Sequence, residues 1–291
     1  MEEDTCELAA VYPGSKGPVH LAFNTDEGSL VACGTIGDKN DLSCRSFDGS
    51  AWTDLPAKLE KNCQWPSRSV NAYLPGLGWL VLAQSKYCDD ADGVKAELLA
   101  AGKAGWTRLY GMQACSHGSV FPDSACLVAL NDTSLLMTGG RVGKKPSTKA
   151  CMYDAASGHW TQVADMPLDL FEHGCALTPE GEVLVGGGQF RGTFGPRLNI
   201  NTYIYNPVTK AWRRNTGRLP KEVFSQDFSK LFLANGKNFL VENLADSQGN
   251  DRIWARLADG SWEETESKMG ASFNGEKDYA VLVPADFAKC K

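Results

Sequence analysis

Ser134-Leu-Leu-Met-Thr-Gly-Gly140, followed by Ala150-Cys-Met-Tyr-Asp154 and His159-Trp-Thr-Gln-Val163, is the stretch that decides the fold of this chain. Ahead of it lie Cys126-Leu-Val-Ala-Leu130 and a turn at Asn131-Asp-Thr133. Four short apolar or alternating runs, set apart by turn-forming residues, read as four strands. The pattern returns downstream as Cys175-Ala-Leu177, Pro179-Glu-Gly181, Val183-Leu-Val-Gly-Gly-Gly188, Thr202-Tyr-Ile-Tyr-Asn206 and Ala211-Trp212. In both copies a tyrosine precedes a tryptophan by seven residues, Tyr153 to Trp160 and Tyr205 to Trp212.

Working outward, tryptophan recurs at Trp52, Trp106, Trp160, Trp212 and Trp262, with gaps of 54, 54, 52 and 50 residues. A period near 50 with four strands per copy predicts an all-β propeller, one blade per repeat. The motif resembles the kelch family: a hydrophobic strand ending in Gly-Gly, then a tyrosine, then a tryptophan about seven residues on. Gly139-Gly140 and Gly186-Gly187-Gly188 match it, whereas the first copy keeps Gly34 alone, the second has Ala83-Gln84 and the fifth Glu242-Asn243. Glycine is expected where blades converge near the axis, and the large aromatics where the gap between blades widens.

The expectation is one kelch-type domain over residues 1–291, with five repeats at about 18–56, 68–110, 124–165, 174–216 and 227–266. Runs at 6–11 and 279–287 read as terminal strands that share in closing the ring. Kelch analogy favours six blades over five.

Composition excludes several functions. The net charge is −6 and no basic run exceeds Lys144-Lys145, against the clustered cations that nucleic acid requires. No apolar stretch reaches the roughly 20 residues that span a bilayer, so membrane insertion is not expected. The acidic start Met1-Glu-Glu-Asp-Thr-Cys6 is no signal peptide, which leaves a cytoplasmic chain or one that starts at a mature N-terminus.

Ten cysteines favour the extracellular alternative. The expected pairs are Cys6 with Cys290, Cys33 with Cys44, Cys63 with Cys88, Cys115 with Cys126 and Cys151 with Cys175. The competing reading is that Cys33, Cys126 and Cys175 are small hydrophobes inside strands. Asn131-Asp132-Thr133 is a glycosylation sequon on a turn.

No zinc-spaced cysteines, Walker loop, nucleophile elbow or dinucleotide fingerprint occurs, and no metal or cofactor is expected. Galactose oxidase, a kelch-like propeller, holds copper through His and Tyr ligands, but His20, His117, His159 and His173 make no counterpart to that set.

The segment leading into each inner strand carries an aromatic: Trp65, Phe121, Phe171, Phe224 and Phe273, at 13, 15, 11, 12 and 11 residues past the repeat tryptophans. Polar groups follow, among them Arg68, Asp123, Glu172, His173 and Gln226. These aromatics either wedge between blades or floor a pocket with a polar rim, suited to a peptide or sugar. Basic loops at Arg141-Val-Gly-Lys-Lys-Pro-Ser147 and Gln189-Phe-Arg-Gly-Thr-Phe-Gly-Pro-Arg197 open on the same side. In the kelch domains of ubiquitin-ligase adaptors, arginines on this face take acidic peptides. The resemblance implies that role for Arg141, Arg191 and Arg197.

The expected function is therefore a secreted, non-enzymatic module binding a protein segment or glycan. One alternative is an oxidase- or hydrolase-like enzyme at the channel mouth, with or without a metal, and with His173, Glu172 and Asp123 as acid–base groups. The other is a cytoplasmic scaffold or actin binder.

Overall fold

In a computed structural model of the chain, residues 15–24, 29–36, 41–58, 70–74, 78–83, 95–99, 106–109, 124–142, 145–219, 230–234, 236–241 and 251–269 are described. Every regular element among them is a β-strand, and no helix occurs there. The strands group into four-stranded antiparallel sheets in a propeller-like arrangement.

The first sheet runs β1 (Ser15–Asn24), β2 (Ser29–Ile36), β3 (Asp41–Phe47) and β4 (Trp52–Lys58). The second runs β5 (Val70–Leu74), β6 (Gly78–Ala83), β7 (Lys95–Leu99) and β8 (Trp106–Leu109). In the third, β9 (Cys126–Asn131) and β10 (Ser134–Thr138) precede a side hairpin, β11 (Arg141–Val142) with β12 (Lys145–Pro146). The sheet then resumes with β13 (Ala150–Asp154) and β14 (His159–Gln162).

The fourth sheet repeats that plan. It holds β15 (Gly174–Leu177), β16 (Val183–Gly186), β19 (Asn201–Asn206) and β20 (Ala211–Arg218), with β17 (Gln189–Gly192) and β18 (Gly195–Leu198) as the side hairpin. The fifth runs β21 (Lys230–Ala234), β22 (Lys237–Val241), β23 (Asp251–Arg256) and β24 (Trp262–Met269).

The period of two along each strand explains how the sheets stack. Leu135 and Met137 of β10 pack with Leu74 and Leu80 of the second sheet, while Leu136 between them packs with Val183 and Val185 of the fourth. Leu184, between those valines, faces Leu231 and Leu240 of the fifth sheet. Successive side chains thus enter two different inter-sheet cores, so these strands are apolar on both faces rather than alternating with polar residues.

The repeat tryptophans sit on the last strand of each sheet, and three of them face the preceding one. Trp160 joins the core between sheets two and three, Trp212 borders the core shared with sheet three, and Trp262 borders the core shared with sheet four. Tyr153 and Trp160 are direct cross-strand partners with ring centroids 5.2 Å apart, and Tyr205 and Trp212 repeat this at 5.0 Å. Trp212 also donates its indole N–H to the Ala164 carbonyl at 2.8 Å, tying the fourth sheet to the segment leaving the third.

Two expectations are corrected. Cys126 is bonded to Cys175, not to Cys115, and Cys175 is not paired with Cys151. The first residue of β9 and the second of β15 lie side by side on neighbouring sheets, Cα atoms 6.0 Å apart, a proximity between repeats that pairing by sequence order missed. Second, the basic segments after β10 and β16 are hairpins, not loops. The glycines make room for the segment that leads into the fourth sheet. A Cβ on Gly139 would fall inside contact distance of the Leu170 carbonyl, and one on Gly188 would lie 2.5 Å from the Phe171 carbonyl.

Cys44 and Cys151 are also disulfide-bonded, and no described cysteine is free. Cys33 stands directly opposite Cys44 in the β2–β3 register. Cys6, Cys63, Cys88, Cys115, Cys290 and the expected terminal strands 6–11 and 279–287 lie outside the described residues.

Candidate functional site

The segment from Met166 to His173 joins the third sheet to the fourth, and the side hairpins of both sheets close on it. Ser147, just past β12, bridges to Leu170, and Phe171 bridges to Gln189 at the start of β17. Gly140 donates its N–H to the Leu170 carbonyl at 2.7 Å, Phe171 and Gln189 exchange two backbone bonds, and the Glu172 N–H reaches the Ser124 carbonyl at 2.9 Å. Chain separated by tens of residues in sequence thereby becomes one continuous layer.

Arg141 and Phe171 meet in this layer, the guanidinium carbon lying 5.0 Å from the ring centroid. Such a cation–π contact contributes about 1 kcal/mol and fixes the orientation of the guanidinium. Phe171 is itself buried. Its neighbour Glu172 is buried too, and the Gln189 side-chain amide donates to its carboxylate at 2.9 Å.

His173 is buried with its Nε2 2.8 Å from the Thr138 hydroxyl. Burial pushes its pKa down to about 3, opposed only by the Thr138 backbone, so the imidazole is neutral at ordinary pH. Its Nδ1 and the hydroxyl of Ser124 have no hydrogen-bond partner. Ser124 and Glu172 both adopt left-handed backbone, φ 54° and 59°, each two residues ahead of an inner strand. That conformation costs a side-chain-bearing residue roughly 1–2 kcal/mol, so packing holds both lead-in segments in a fixed bend.

Arg191 and Arg197 are exposed on the β17–β18 hairpin. Phe190 pairs with Arg197 and Arg191 with Pro196, and side chains alternate along each strand. The two arginines therefore leave opposite faces of the hairpin and do not converge on one point. Phe190 packs against the core of sheets three and four, which roots the hairpin. At its tip, Phe194 is 92% exposed.

Trp65, Arg68, Phe121, Asp123, Phe224, Gln226 and Phe273 lie outside the described residues. Of the expected site, Arg141 and Phe171 meet, Glu172 and His173 follow Phe171 in the same segment, and Arg191 and Arg197 lie on the hairpin whose first residue, Gln189, bridges to Phe171. Sequence reasoning did not single out Gln189 or Phe194. A Phe between Gly192 and Gly195, where a two-residue turn needs no apolar side chain, was the readable signal for the latter.

Asn131 is exposed on its turn, its side-chain oxygen accepting from the Thr133 N–H at 2.9 Å. Among the described residues no three His, Cys, Asp or Glu side chains gather as metal ligands. No known protein-family model and no curated protein matches the chain.

Proposed function

We propose that this chain is a non-catalytic binding module that takes an acidic protein segment or glycan on the loop side of its third and fourth repeats. The observation that carries the reading is Arg141 held over Phe171 beside a hairpin bearing exposed Arg191 and Arg197. A guanidinium already oriented loses less entropy when it pairs with a carboxylate, so it suits recognition of acidic groups. The neutral, buried His173 supports binding over acid–base chemistry, because its charge does not change near neutral pH.

The kelch-type assignment and a sixth blade completed by the terminal segments belong to the same reading, supported by the repeated Gly-Gly, Tyr and Trp positions. Secretion is supported by the Cys126–Cys175 bond, which a reducing compartment would not maintain. In that setting the exposed turn at Asn131 would carry a glycan, and glycosidase treatment of secreted protein should lower its mass.

The test is a screen of acidic peptides and of sulfated or uronic-acid glycans, followed by titration of the best binder. Arg141→Ala with Arg191→Ala should weaken that binder at least tenfold, since each charge-assisted contact is worth about 1.5–3 kcal/mol. Unchanged affinity removes both residues from the site.

A further inference from the structure

The β17–β18 hairpin carries an almost wholly exposed apolar side chain at its apex. Gly192 pairs with Gly195, leaving Thr193 and Phe194 as a two-residue turn. Such turns favour residues that accept positive φ, such as Asn-Gly, yet neither Thr193 nor Phe194 has positive φ. The phenylalanine thus serves neither the turn nor the core, and it stands 92% exposed. A departure from local preference with little gain in packing is the pattern expected of a functional position.

The surroundings of the apex say what would receive it. Arg191 lies three residues before Phe194 and Arg197 three residues after it, on opposite faces of the hairpin. Both are exposed, and the hairpin from Gln189 to Leu198 contains no carboxylate. Two cations set back equally from an apolar tip, one on each side, match a flat anionic surface met end-on. They match a single acidic group less well, because they do not converge.

We propose that this hairpin is a peripheral attachment point for anionic phospholipid surfaces. Phe194 enters the boundary between headgroups and acyl chains while Arg191 and Arg197 pair with lipid phosphates. The contact is one side chain deep and is distinct from spanning the bilayer. It shares Arg191 and Arg197 with the proposed ligand site but replaces Arg141 by Phe194, so Phe194→Ala separates the two.

The experiment is co-sedimentation of the intact, oxidised protein with phosphatidylcholine vesicles, with and without phosphatidylserine, over a range of lipid concentration. Binding is expected to the anionic vesicles and to weaken with added salt. Phe194→Ala should lower the partition coefficient about tenfold, from the apolar area withdrawn. Phe194→Trp should raise it, because indole favours the interface. Arg191→Ala with Arg197→Ala should lower it by about thirtyfold. Opposite effects of alanine and tryptophan at an almost wholly exposed side chain separate lipid contact from a folding defect. Absence of binding to anionic vesicles, or binding indifferent to Phe194, overturns the proposal. An effect of Phe194 seen with a protein ligand alone would likewise overturn it, and would reassign the tip to a protein partner.

Discussion

Replacing Gly139 by alanine tests how the third and fourth sheets are joined. Gly139 has φ +59°, and an added Cβ would meet three atoms: the Leu170 carbonyl oxygen inside contact distance, His173 Cε1 at 2.6 Å and Met166 Cε at 2.8 Å. The methionine methyl is the free end of a flexible chain and gives way. The other two cannot. The Leu170 carbonyl accepts the Gly140 N–H at 2.7 Å, and the His173 ring is held by Thr138 at 2.8 Å. Left-handed backbone costs alanine about 1 kcal/mol after allowance for its smaller unfolded-state entropy. Overpacking adds roughly 1–3 kcal/mol. Gly158 and Gly181 supply the controls, since both have positive φ (+70° and +77°) and nothing within 4 Å of an added Cβ. In urea unfolding at constant m-value, Gly158→Ala and Gly181→Ala should each cost about 1 kcal/mol, and Gly139→Ala about 3 kcal/mol. Equal costs at all three positions would refute the claim that Gly139 makes room for the segment carrying Leu170 and His173.

Other expectations follow from the same contacts. Cysteine-to-serine replacement at both Cys126 and Cys175 opens a loop with a sequence separation of 49, which chain-entropy arguments equate to about 4 kcal/mol, measurable as a lower urea midpoint. Trp212→Phe should cost about 1 kcal/mol more than Trp160→Phe in parallel melts, because the Trp212 indole bonds Ala164 while the buried Trp160 N–H has no partner. His173 has a pKa near 3 when folded against 6.5 for the free side chain, so protons favour the unfolded chain. Stability is then fully present above pH 6.5 and falls below it by about 1.4 kcal/mol per pH unit, a limb that His173→Gln should flatten. Asp48, held down to about 2 by the Ala51 and Ser50 groups, acts only at lower pH, where its contribution is lost below the ordinary carboxylate value.

The strands of sheets three and four were legible because their cues are local. Apolar runs such as Val183-Leu-Val185 closed by glycine, and the Tyr-to-Trp spacing that makes Tyr205 and Trp212 cross-strand partners, need only a few residues to read. The contacts between sheets were less legible. Cys126 finds Cys175 across 49 residues because neighbouring inner strands lie side by side, a fact of three-dimensional stacking. The side hairpins were hidden for a different reason. Gln189-Phe-Arg-Gly has too short a run and too little β-branched character to announce a strand, and it pairs because Phe190 is rooted in the core and Phe171 bridges to Gln189. Arg141 was visible as a basic residue after Gly-Gly, but its placement over Phe171 depends on that same long-range bridge.

The central claim is that the inner strands of the third and fourth repeats lie side by side, so that the segment carrying Phe171 and Glu172 is held beneath Arg141. Peptide mapping of the unreduced protein by mass spectrometry tests it without knowledge of any ligand. The account predicts a disulfide-linked pair of peptides containing Cys126 and Cys175. Linkage of Cys126 to Cys115, or of Cys175 to Cys151, would contradict the stacking on which the site depends.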